Sequence, residues 1–203
     1  NLVLESPTPN QEVNGKMIKN NKTKIQKNAA ENISTILQQE SARLYQPANP
    51  LEVDEKNRVL ARGFGVGEIA LLEKTALSPT SPQDYRMLAI YYLKLVGSSA
   101  IPSLIKIFRA PSEFLQGPVI AHSEKEMRRD FEYALRTMAM EAIEVDLAAA
   151  TSTSSKDLKI FQEQIQQIKD PYLQKIARLV LLGQRLGKPL LQNFIHTNEQ
   201  AKL

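Results

Sequence analysis

The stretch from Tyr85 to Phe108, YRMLAIYYLKLVG followed by SSAIPSLIKIF, limits most tightly what this chain can fold into. Met87, Ile90, Tyr91, Leu93, Lys94 and Val96 recur at helical spacing, which predicts a helix buried over most of its length. Gly97 supplies a left-handed turn at the helix C-terminus, and the chain restarts at Ser99. In the second half Ile101, Leu104, Ile105 and Phe108 form a narrow apolar stripe, with Lys106 and Arg109 directed away from it. One such pair of short helices cannot bury both apolar faces alone, so it needs a neighbour on each side.

The rest of the chain carries the same punctuation. Ile25, Ala29, Ile33, Ile36, Leu37 and Leu44 predict an amphipathic helix from about Ile25 to Tyr45, ended by Pro47 and Pro50. Asn49 is a cap for the next helix, with Pro50 at its first position and Glu52 placed to reach back. Ser81-Pro82-Gln83-Asp84 repeats that start signal, and Ser123-x-x-Glu126 opens a long helix reaching about Ala149. The segment from Pro111 to Pro118 is a longer connection, and AATSTSS (149–155) reads as a linker. Ser154 with Asp157, then Asp170-Pro171, start two further helices; a Gly183/Gly187 hinge precedes a last one through Ile195. No segment sustains period-two alternation, so the chain reads as all-α.

Composition narrows the function classes. The chain has 203 residues, no Cys, and a net charge of +4. Five lysines (Lys16, Lys19, Lys22, Lys24 and Lys27) stand together with no acid among them, and the remainder is close to neutral. That argues against a strongly basic nucleic-acid binder, while the Lys16–Lys27 segment itself could contact an anionic surface. Without Cys there is no disulfide, thiolate zinc site or cysteine nucleophile. The chain starts at Asn1 without an initiator Met, and no apolar run approaches the roughly 20 residues of a membrane span. These features fit a cytoplasmic protein or a bacterial periplasmic one and leave the compartment unknown. The expected organisation is a flexible basic arm at 1–23, a helical repeat domain at 24–196 and a frayed tail at 197–203.

The first unit has a copy. Shifted to place Gly97 on Gly183, Met87 meets Leu173, Ile90 meets Ile176 and Leu104 meets Leu190, with Phe108 on Phe194. Arg86, Ala89, Leu93, Val96-Gly97, Ala100-Ile101-Pro102, Leu104 and Ile105 resemble the consensus of HEAT repeats, in which a helix ending in an apolar-Gly turn precedes one beginning Ala-Ile/Val-Pro-x-Leu. The resemblance is strongest at 85–108, extends to 170–195, and fails between Pro111 and Ser155. It implies a short irregular α-solenoid of HEAT-like helix pairs, with an irregular helical bundle as the alternative. It also implies a scaffold that binds other proteins.

Catalytic and metal chemistry is not legible. GFGVG (63–67) ahead of a helix invites a phosphate-loop reading, but it follows no strand and precedes no Lys-Ser/Thr, so it reads as a turn with Phe64 tucked inward. His122 and His196 lack partners at metal-ligand spacing, and Glu141 with Glu144 reads as a solvated face. Lys125, Arg128, Arg129 and Arg136 read as a basic surface on the long helix. The expectation is therefore no catalytic residue, no cofactor and no metal. The candidate partner-binding surface comprises Tyr91, Lys106, Arg109, Lys125, Arg128 and Arg129. The expected function is a non-enzymatic scaffold or adaptor within a larger bacterial assembly. A nucleic-acid-binding repeat protein is the alternative, and a small enzyme with an unrecognised site the third.

Overall fold

Helix ends in this chain form where a side chain or a turn can satisfy the free backbone groups. At Asn49 the side chain accepts from the backbone N–H of Leu51, and Asn49 Nδ2 donates to Glu52 (3.2 Å), as the Asn-Pro-x-Glu pattern predicts. Ser123 Oγ accepts from the N–H of Glu126 (3.1 Å), and the Glu126 carboxylate returns to the N–H of His122, a non-glycine held at φ 61°. Asp170 caps its helix by accepting from Leu173 N (3.0 Å). The start at Ser81-Pro82 differs from expectation: Pro82 is extended and stands outside the helix, which begins at Gln83 without a side-chain cap.

The computed structural model describes residues 29, 31–44, 46, 49–149 and 155–200, and these are all-α, with nine α-helices and no strand among them. Helix α1 covers 31–43. It is followed by α2 (Pro50–Ala61), α3 (Val66–Leu77), α4 (Gln83–Val96) and α5 (Ile101–Arg109). Then come α6 (Glu124–Ala149), α7 (Ser155–Ile165), α8 (Pro171–Leu186) and α9 (Leu190–Gln200). Short 3₁₀ turns occupy Ser98–Ala100 and Glu113–Leu115. The basic arm expected at 1–23 lies outside the described residues, and α9 continues beyond Ile195 to Gln200.

Helices two apart in the chain pack together: α2 on α4, α4 on α6, and α6 on α8. Helix α3 packs on both α4 and α5, α5 lies against α6, and α9 packs on α8 and α6. The core runs through these contacts without a break, from Ile33 and Leu37 of α1 through Leu72, Leu93, Leu104 and Phe108 to Leu135, Ile143, Ile176 and Leu191. The α5 stripe is broader than the sequence predicts. Ser103 and Ile107 are buried with Ile101, Leu104, Ile105 and Phe108 because α3 and α6 cover α5 from different sides.

The proposed glycine equivalence changes in detail. Gly97 ends α4 at φ 81°, but Gly183 is buried inside α8, and Gly187 at φ 63° ends that helix. Gly183 serves a close approach instead. A Cβ built there would lie 2.4 Å from the backbone oxygen of Lys188 and 3.2 Å from Leu190 N. The GFGVG turn is also settled by geometry. Glu68 Oε2 accepts from the N–H of Gly65 (3.0 Å), so the N-terminus of α3 holds its own carboxylate, and Phe64 packs on Tyr92 with ring centroids 5.8 Å apart.

Candidate partner-binding surface

Two features of the described surface combine several elements: an open apolar groove on the α1–α2–α4 side, and a buried ion cluster where α4 and α6 meet the ends of α3 and α5.

The groove has a volume of about 650 Å³. Leu44, Val53, Met87, Leu88, Tyr91 and Met138 line it, drawn from the end of α1, from α2, α4 and α6. Leu44 and Met87 are 60% and 43% exposed, although the helical periodicity predicts both on buried stripes. The α4 stripe is rotated from that prediction, burying Arg86, Ala89, Ile90 and Leu93 together with Leu88 and Tyr92. This rotation leaves Met87 facing out.

Polar side chains fix the walls of the groove. The Tyr91 hydroxyl donates to Asp54 Oδ1 (2.8 Å), and Asp54 also pairs with Arg58 (2.8 Å). Burial, then the bond to Asp54, push the Tyr91 hydroxyl up to about 12. The hydrogen bond from Arg58, followed by that from Tyr91, holds Asp54 below the ordinary carboxylate value. Glu40 pairs with Arg43 (2.8 Å) and accepts from Asn57 Nδ2 (3.2 Å), while Ser41 Oγ donates to Asp84. The lining thus includes two carboxylates, Glu40 and Asp84, and no Lys or Arg.

The ion cluster is Arg86–Glu132–Arg136, with all three residues buried. Glu132 meets Arg86 at 2.7 Å and Arg136 at 2.5 Å. Arg86 Nε donates to the carbonyl of Ala76 (2.9 Å), and Arg136 Nη2 to that of Ala110 (2.7 Å). The cluster therefore ties α4 and α6 to the C-terminal ends of α3 and α5. Burial raises the Glu132 pKa, but the two guanidinium groups outweigh it and hold the carboxyl below its usual value. A cavity of about 240 Å³ adjoins the cluster, walled also by Ile107, Leu135 and Phe114. Arg136, expected on a basic surface, is buried because this cluster gives its charge a partner.

The six candidate residues fall in three places. Tyr91 lies in the groove. Lys106 and Arg109 stand on the outer side of α5, where Lys106 pairs with Glu73 of α3 and Arg109 donates to Gln167 (2.6 Å). The other three cluster on the first turns of α6. Lys125 donates to the carbonyl of Pro118 (3.2 Å), Arg128 pairs with Glu124 (2.6 Å) and covers the Phe114 ring, and Arg129 covers Tyr133. Sequence reasoning missed the groove residues Leu44, Val53 and Met87. The available signal was the acidic trio Glu40, Asp54 and Asp84 interleaved with them.

Glu144 corrects another expectation. Instead of lying on a solvated face it is buried, and its two oxygens accept from Leu191 N (2.8 Å) and Gln192 N (3.0 Å), capping α9 from α6. Among the described residues no group of three or more His, Asp or Glu is placed to hold a metal ion. No helix among them is long and apolar enough to cross a membrane. No family model, curated protein or solved structure matches this chain.

Proposed function

We propose that this chain is a helical scaffold that holds another protein, built as a short irregular α-solenoid of HEAT-like helix pairs. The observation that carries the binding reading is the open groove, where Leu44 and Met87 remain exposed among walls fixed by hydrogen bonds. A soluble surface that keeps large side chains uncovered in a concave site is suited to a partner's apolar side chains. The repeat reading rests on the resemblance of residues 85–108 and 170–195 to HEAT repeats. A nucleic-acid role draws less support, because Lys106 and Arg128 already spend their charge on Glu73 and Glu124.

Purification of the tagged chain from its native host tests the proposal. A stoichiometric protein partner that is lost in the Met87→Lys variant is the expected result. Recovery of a lone monomer, or a partner retained by that variant, would overturn it.

A further inference from the structure

We propose that the occupant of the α1–α2–α4 groove is a basic amphipathic helix of a partner protein; this rests on the scaffold reading and names its ligand. Three observations on the groove converge on that chemistry. The floor and rim are apolar and methionine-bearing: Leu44, Met87 and Met138, with Val53 and Leu88 beside them. Methionine side chains are unbranched and re-pack around irregular apolar surfaces, which suits a row of side chains at helical spacing.

The charge around the groove has one sign on its lining. Glu40 and Asp84 belong to the lining, Asp54 is bonded to Tyr91 at its edge, and no cationic residue lines it. Arg43 pairs with Glu40 and Arg58 with Asp54, which leaves Asp84, accepting from Ser41, as the lining carboxylate with no arginine on it. A cationic ligand gains from that field, and an acidic one is repelled.

Backbone geometry selects a helix over a strand. The groove is walled by α1, α2, α4 and α6, whose backbone donors and acceptors are taken up within the helices. No strand edge is present among the described residues for an extended peptide to join. A helix needs no such edge. It would lay leucines or similar residues over Met87 and Leu44, with lysines or arginines at its flanks facing Asp84, Glu40 and Asp54.

Fluorescence anisotropy with the full chain tests this. The probe is a labelled synthetic peptide of about eighteen residues, with leucines at i, i+3, i+4 and i+7 and lysines elsewhere. Its controls are the same peptide with glutamate in place of every lysine, and a scrambled peptide that keeps composition but loses the apolar face. Saturable binding of the basic amphipathic probe alone is the expected result. Met87→Lys should weaken it by about tenfold or more, and Asp84→Asn with Asp54→Asn should weaken it and flatten its salt dependence. Leu182→Lys, an exposed position on α8, should leave it unchanged.

Equal binding of the scrambled or acidic peptide would overturn the proposal, as would indifference to Met87→Lys in a variant that melts like the parent. Probe binding that emerges only when Lys16, Lys19, Lys22, Lys24 and Lys27 are replaced by Gln would identify the chain's own segment as the occupant, and would also overturn it. So would retention of an apolar dye, lost in Met87→Lys, that the peptide cannot displace; the groove would then serve a small apolar molecule. The scaffold reading has its own test, the stoichiometric partner recovered from the native host and its loss in Met87→Lys, so the two failures are told apart.

Discussion

A carboxyl group on α6 and a glycine on α8 show how far a residue's surroundings decide its effect on stability. Asp146 has a buried Oδ2 without a hydrogen-bond partner, and burial raises its pKa to about 6, with Lys94 only partly opposing the shift. Its folded pKa lies above the unfolded value of 3.8, so the fold favours the protonated form. That contribution is present below about pH 4 and is lost as pH rises through about 6. Asp146→Asn is therefore expected to stabilise the protein at pH 7 by about 1 kcal/mol, allowing for solvent that still reaches the site, and to give no gain near pH 4. Urea unfolding at the two pH values checks this. Gly183→Ala is the opposite case. The added methyl group meets the Lys188 oxygen at 2.4 Å, a backbone atom that cannot swing aside. The expected loss is about 2 kcal/mol, read as a shift in the denaturant midpoint. An unchanged midpoint would refute it.

At the level of elements, α6 organises the molecule. Its Arg136 reaches the end of α5, and its Glu132 holds Arg86 of α4, which donates to the end of α3. Its Tyr133 donates to Asp170 (2.8 Å), the cap of α8, and its Glu144 caps α9. Glu132→Gln would leave two buried guanidinium groups without their carboxylate and is expected to cost about 3 kcal/mol at pH 7. The wild type should lose the same contribution in acid. Because the folded pKa of Glu132 is depressed, that stability is present above the ordinary carboxylate range and disappears as pH falls through the folded value. Thermal melts of both proteins from pH 7 downward check this, and the gap between them should narrow in acid.

The helices themselves were legible in the sequence, because caps and 3.6-residue spacing are local signals: Asn49-Pro50, Ser123-x-x-Glu126 and Asp170-Pro171 all start helices where expected. The role of α6 was not. Its apolar pattern departs from the repeat; Arg136 and Glu144 read as surface charge, and nothing local singles out Glu132 until its partner from α4 comes into view. Glu132 and Arg136 stand four residues apart, which a helix surface also favours, so spacing alone could not distinguish burial from exposure. The groove was illegible for a related reason. The orientation of α4 about its axis follows from Arg86 turning inward to Glu132, and that turn moves Met87 outward.

Across the whole molecule the core is continuous, so damage at its centre should spread to every helix. Leu93 is fully buried in α4, which packs on α2, α3 and α6. Leu93→Asp places an unpaired charge among them, and it is expected to abolish the cooperative melt rather than lower its midpoint. Circular dichroism in the far and near ultraviolet should lose its transition at both wavelengths; a parent-like melt would contradict this. The position of α6 near the middle of the chain also sets an order of assembly. On a ribosome, α1 to α5 emerge first, yet the carbonyls of Ala76 and Ala110 and the guanidinium of Arg86 complete their cluster only when the first half of α6 follows. The second half of α6 then waits for α8 and α9, whose arrival covers Ile143 and occupies Glu144. Each closure joins helices that are neighbours or stand two or three apart in the chain order, so the molecule can be completed from its N-terminal side.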